Sequence, residues 1–184
     1  LVGSEMCIRD RSNKNSWDSK EAGVLERIQG GLFDAPCVLP AARGMSHFGE
    51  HALGWMGIAG AGAAVDKQRR RKWLAMGAGA FTSHAASVVL KRIVRRRRPD
   101  DPRVKIGVGT PSKMSFPSSH ATSTSAAMVH LADITGSKLP YVGIPIMMTS
   151  RMVLGVHYPT DTLAGALLGI GVARAAINIE RRTA

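Results

Sequence analysis

The sequence predicts an all-α, integral-membrane bundle of about five helices, and three observations predict it. Charge is segregated: mean hydropathy is near zero at −0.01, yet charged residues crowd into the first third and a few short runs. Five apolar stretches follow, each near the roughly 20 residues that a helix needs to cross the hydrocarbon core. These stretches are rich in Gly, Ala, Ser and Thr, the residues that closely packed transmembrane helices use where they touch.

The 184 residues suffice for one compact domain and are too few for two ordinary ones. Leu1 to Asn15 is polar and patternless, reads as appended or misjoined sequence, and shows no pattern of a secretory signal. From Lys20 to Arg43 the chain is mildly amphipathic, with Val24, Leu25, Ile28, Leu32 and Phe33 on a rough helical period interrupted by Gly30, Gly31 and Pro36. Residues 1–45 are therefore expected to form a polar or interfacial lead-in, and 46–184 the membrane domain.

The apolar segments run from about Phe48 to Val65, Trp73 to Leu90, Ser119 to Ile134, Leu139 to Val156 and Leu163 to Ile179. If all five span, the second and fourth connections share one side of the membrane, and the first and third share the other with the C-terminus. The competing architecture is a soluble helical bundle with an Ala-rich core. The two cysteines, Cys7 and Cys37, form no framework and no metal-type pair.

A net charge of +12 and a pI near 10.7 point to an anionic partner: nucleic acid, anionic lipid or phosphate. The position of the basic residues narrows this. The second segment ends Lys91-Arg-Ile-Val-Arg-Arg-Arg-Arg98-Pro99, and a continuing helix would present Lys91 and Arg98, two turns apart, on one face. By itself the run also reads as a basic juxtamembrane stop that attracts anionic headgroups. The third segment opens Phe116-Pro-Ser-Ser-His120, where Pro117 fits a first helical turn and Ser118 a cap. A helix N-terminus offers free amides to an anion, and His120 there could protonate a leaving group. The fourth segment ends Ser150-Arg151 followed by His157-Tyr-Pro-Thr-Asp161. Arg151 inside an apolar run is costly unless it faces a polar site. Asp161 is close enough to fix the tautomer of His157, a plausible nucleophile.

Lys91, Arg98 and Arg151 for charge, His157 for in-line attack and His120 for the leaving oxygen are what phosphoryl transfer needs, with no metal and no cofactor required. A basic non-enzymatic binder of membrane or nucleic acid explains the charge but gives no reason for the placement of His120, His157 and Asp161. Nucleic acid is not expected as a partner.

In order and spacing, Lys91 to Pro99, Pro117 to His120 and Ser150 to Asp161 resemble the signature of the phosphatidic-acid phosphatase type 2 superfamily, which also includes vanadium haloperoxidases, larger soluble proteins with similar anion ligands. The resemblance covers roughly the C-terminal half of the chain. It implies that Lys91, Arg98 and Arg151 bind phosphate, that His157 attacks phosphorus, that His120 is the general acid and that Asp161 orients His157. Ser118 matches the family's phosphate-binding serine. Ser119 stands where the family has glycine, and its amide can still donate to phosphate. The implied activity is hydrolysis of a phosphomonoester on a lipid-linked substrate in the bilayer, with the site on the extracytoplasmic face. The short chain and Ser46-His-Phe-Gly-Glu-His51 are similar to members that act on polyprenyl-phosphoryl pentose phosphates in cell-wall synthesis; polyprenyl diphosphate, phosphatidate and phosphatidylglycerophosphate are the alternative substrates. His47, Glu50 and His51 also fit the zinc-peptidase spacing His-x-x-Glu-His, which needs both histidines on one helical face.

Overall fold

The computed structural model describes residues 16–183; the stretch read as appended lies outside them. Seven α-helices follow in order: α1 (Ser16–Leu32), α2 (Val38–Phe48), α3 (Leu53–Val65), α4 (Arg70–Val94), α5 (Ser119–Thr135), α6 (Gly143–Val153) and α7 (Pro159–Thr183). Short 3-10 turns lie at Glu50–Ala52, Lys67–Arg69 and Leu139–Val142. The five apolar segments correspond to α3 through α7, with lengths of 13, 25, 17, 11 and 25 residues. By length and composition, two stretches among the described residues can cross a membrane, Lys67–Val94 and Pro159–Arg182. Only 28% of each apolar window is buried, whereas the core helix of a soluble bundle would be mostly covered.

The distribution of side chains is inverted relative to a soluble bundle. Leu74, Phe81, Val89 and Ile93 on α4, and Leu163, Leu167 and Ile179 on α7, are exposed. Inside are Ser83 and Ser87 of α4 and Ser119, Thr122, Ser123, Thr124, Ser125 and His130 of α5. Apolar residues outside and polar ones within suit a hydrocarbon surround. Several of the hydroxyls are satisfied locally: Thr122 Oγ1 donates to the Ser118 carbonyl at 2.8 Å and Ser123 Oγ to that of Ser119 at 3.1 Å, whereas Ser125 Oγ has no partner among the described residues.

α5 is the central helix, packed between α4 and α7. The α5–α7 crossing is close because α7 presents Gly165 and Gly169, four residues apart on one face; a Cβ at Gly169 would lie 2.1 Å from the Thr122 carbonyl. On α4 the buried positions Met76, Ala80, Ser83, Ser87 and Lys91 recur every three to four residues, so one stripe runs from an apolar end to a cationic end.

Two expectations from the sequence are corrected here. The helix carrying Lys91 stops at Val94, where Arg95 turns left-handed (φ 55°). Pro99 disfavours helical backbone at Arg98, and the chain instead runs back along residues 112–115, with Arg98 N–H on the Lys113 carbonyl and Ser115 N–H on that of Arg96. Pro117 lies just outside α5, before the Ser118 cap. The α1 helix does more than precede the bundle: Ala22 and Leu25 are buried with Val104 and Tyr158. Buried Gln29 fastens the 95–118 loop, donating to the Lys105 and Val153 carbonyls at 2.7 and 2.9 Å.

Candidate active site

A cavity of about 560 Å³ opens at the end of the bundle where α4 finishes, α5 begins and the α6–α7 turn passes. Lys91, Arg98, Ser119, His120, Arg151 and His157 all line it, brought together from three separate stretches of chain. Ser118 and Asp161 stand behind this wall. Ser118, which the sequence matches to a phosphate-binding serine, is fully buried: its Oγ caps α5 at 3.5 Å from the Ala121 N–H, and its own N–H donates to the Asp161 carbonyl at 2.9 Å. The hydroxyl that faces the cavity is that of the neighbouring Ser119, bonded to Ser87 Oγ at 2.7 Å.

Two of the three cations are held by neutral groups. Lys91 Nζ donates to the carbonyls of Ser115 at 3.0 Å and Pro117 at 2.6 Å. Arg98 donates from Nε to Ser112 O and from Nη1 to Val156 O, both at 2.7 Å. Arg151 is 2% exposed, and its Nε and Nη1 have no hydrogen-bond partner among the described residues. Among the described residues none of the three is ion-paired to a carboxylate, so their charge is available to an anion entering the cavity. Burial lowers the Arg98 guanidinium to about 10, which leaves it charged at neutral pH.

His157 sits in the turn between α6 and α7. Its Nε2 is 3.3 Å from Arg98 Nη1. A guanidinium can only donate, so Nε2 carries the lone pair and Nδ1 the proton. That Nδ1 lies 3.8 Å from Asp161 Oδ2, too long for a hydrogen bond, and has no other partner among the described residues. Asp161 Oδ2 accepts the Tyr158 N–H at 2.8 Å instead. Burial, reinforced by Arg98, Arg151 and Lys91, holds the His157 imidazole well below its ordinary range, so it is neutral at neutral pH. Gly155 (φ +68°) makes the turn: a Cβ there would lie 2.2 Å from the Lys105 carbonyl.

Across the cavity, His120 Nε2 is 2.9 Å from the Ser46 carbonyl. A carbonyl can only accept, so that nitrogen carries a proton. Gly49 permits the approach, since a Cβ would lie 2.7 Å from His120 Cδ2. His47, Glu50 and His51 also line the cavity, but α2 ends at Phe48 and His51 is left-handed (φ 51°). The two histidines therefore do not share a helical face, which the zinc-peptidase spacing requires.

Sequence reasoning missed two residues. His84, on the α4 face two turns before Lys91, lines the cavity with its Nδ1 unpartnered among the described residues, and the seven-residue spacing was the available signal. Arg96, inside the basic run, donates from Nη1 to Asp161 Oδ1 at 2.9 Å and to Thr160 Oγ1 at 2.7 Å, and from Nη2 to Asp18 at 2.6 Å and to Glu21. Burial works to lower its pKa, but the bonds from Glu21 and Asp18 outweigh it and the net shift is upward. Nothing local in sequence marks Arg96 among its neighbouring arginines.

Residues 72–183 match the PAP2 superfamily. The chain belongs to that superfamily. It is 56% identical over 145 residues to the decaprenylphosphoryl-5-phosphoribose phosphatase of Mycolicibacterium smegmatis, covering 79% of this chain and 81% of that protein. It is 51% identical over 152 residues to the Mycobacterium tuberculosis protein of the same name, covering 83% and 86%. The fold is similar to a transmembrane PAP2 phosphatidylglycerolphosphate phosphatase from Bacillus subtilis, with a TM-score of 0.70 at 23% identity over 96% of this chain and 92% of that one. As a PAP2 protein the chain is a membrane phosphatase, a phosphoric monoester hydrolase.

Proposed function

We propose that this PAP2 phosphatase removes the 5-phosphate from a polyprenyl-phosphoryl pentose, decaprenylphosphoryl-5-phosphoribose, by way of a phosphohistidine on His157. The observation that carries the reading is the pairing of a neutral His157, its Nε2 lone pair turned to Arg98, with three cations that no carboxylate neutralises. The identity of 51–56% to phosphatases of that name supports the substrate.

In the first step Nε2 attacks phosphorus and the bond to the sugar oxygen breaks. Lys91, Arg98 and Arg151, with the Ser119 amide, hold the equatorial oxygens as charge builds. His120, entering the step as an imidazolium, gives one proton to the leaving oxygen and keeps the other on the Ser46 carbonyl, and the pentose departs as its alcohol. In the second step water attacks the phosphohistidine, His120 accepts the water's proton, and phosphate leaves with Nε2 restored. Asp161 stabilises the imidazole through Nδ1 while Nε2 carries the phosphoryl group; a small closure of the 3.8 Å gap would complete that bond.

The site faces the extracytoplasmic side in this reading.

The test is competition between purified lipids in one detergent. The pentose 5-phosphate lipid should show the highest kcat/KM, with short soluble esters poor because remote binding energy from the tail is lost. A higher kcat/KM for phosphatidate or a polyprenyl diphosphate overturns the substrate. Acid-stable phosphoenzyme, or phosphate trapped on a residue other than His157, overturns the mechanism.

A further inference from the structure

The deepest cluster of charge outside the cavity lies directly behind His157. Arg96 stands at its centre, its guanidinium 4.1 Å from the Tyr158 ring centroid and shared among Asp161, Asp18 and Glu21. Asp161 is fully buried and Glu21 is 7% exposed. Glu21 also accepts from Thr160, taking its N–H at 2.9 Å and its hydroxyl at 2.9 Å. A carboxylate from α1 thereby caps the first turn of α7, the turn that carries Asp161.

These contacts leave the Asp161 carboxylate one orientation. A free aspartate rotates broadly about its terminal torsion. Here Arg96 Nη1 holds Oδ1 and the Tyr158 N–H holds Oδ2, the oxygen nearest to His157 Nδ1. Arg96 is itself fixed at both ends, since its carbonyl accepts the Ser115 N–H at 2.8 Å. Only a planar fork can span a carboxylate on α7 and two on α1 at once.

We propose that Arg96 is a positioning residue for the reaction: braced by Glu21 and Asp18 of α1, it aims the Asp161 carboxylate at Nδ1 of His157. The proposal rests on the assignment of His157 as nucleophile. It makes α1 a working part of the site. Arg96 acts in the chemical step and not in binding, because the stabilisation it relays is needed when Nε2 takes the phosphoryl group and the imidazole becomes cationic.

The test uses the full chain in detergent with a polyprenyl-phosphoryl pentose 5-phosphate, comparing Arg96→Lys, Glu21→Gln, Asp161→Asn and the double variants. Arg96→Lys keeps the charge and loses the fork; it should lower kcat at least tenfold while KM stays within twofold. In the Asp161→Asn background the same change should cost less than twofold, since there is no carboxylate left to aim. Glu21→Gln should show the same pattern at about threefold, and it carries the test if Arg96→Lys fails to fold. Equal losses in both backgrounds, or a lowered melting temperature with unchanged kcat, would overturn the proposal. His157→Ala serves as the control: residual turnover there sinks the nucleophile assignment itself, whereas a dead His157→Ala beside a fully active Arg96→Lys sinks only the role of Arg96.

Discussion

The two ends of the bundle treat cations in opposite ways. At the α5 C-terminus, Asp133 pairs with Lys72 at 2.9 Å and with Arg181, while Arg69 donates to the Ile134 carbonyl. Charge there is neutralised locally, beside solvent. At the α5 N-terminus Lys91 and Arg98 rest on carbonyls, and Arg151 is buried with two nitrogens unpartnered. Carboxylates are present nearby, but Arg96 gathers Asp161, Asp18 and Glu21 behind the cavity wall. A fold that keeps acids away from three cavity-lining cations, two of them buried, gives up stability to hold an anion-binding field, and that separation distinguishes a site from a charged surface.

The sharpest way to break this contrast is Arg151→Gln. Removing a buried, preorganised donor should cut kcat/KM by about 10²–10³. A loss under fivefold, measured on the lipid substrate, would mean that Arg151 is structural.

Gly155→Ala comes next. It forces a Cβ onto the Lys105 carbonyl at a left-handed position, moving His157 and the loop that carries Arg98 together. We expect kcat to fall by more than tenfold with a destabilisation of about 1–3 kcal/mol. Thermal unfolding and kinetics on one preparation check both.

At the far end, Asp133→Asn should leave kcat/KM within twofold. Lys72 and Arg181 would lose their partner at a partly exposed position, so stability should drop slightly, by about 1 kcal/mol or less, read from thermal unfolding. A large activity loss would mean that the two ends are coupled.

The smallest effect concerns pH. His157 is depressed in the folded state by burial first and by Arg98, Arg151 and Lys91, so the unfolded chain binds its proton more readily. Its contribution to stability is complete above pH ~6.5 and is lost as pH falls below that value, at about 1 kcal/mol over the first unit. His157→Gln should therefore show a flatter dependence of melting temperature on pH than the parent. Parallel curves would contradict the buried, neutral imidazole.

Much of the site was legible because its chemistry is written in short local spacings. The distances from Lys91 to Pro99, Pro117 to His120 and Arg151 to Asp161 are set along the chain, and the cap and helix start at Ser118 and Pro159 follow from rules that act within one turn. The sequence by itself determined the helical class, the apolar stretches and the three spacings whose residues meet at the cavity. The tertiary structure alone decided the route by which Arg98 reaches the cavity, the retreat of Ser118 behind Ser119, and the union of Arg96 with Glu21 and Asp18 across 75 and 78 positions. The reason is physical. Hydrophobic periodicity and capping depend on neighbours within about four residues. Which of several adjacent arginines is buried, and against which acid, depends on where a loop between two distant helices is pressed by packing, and no local pattern encodes that.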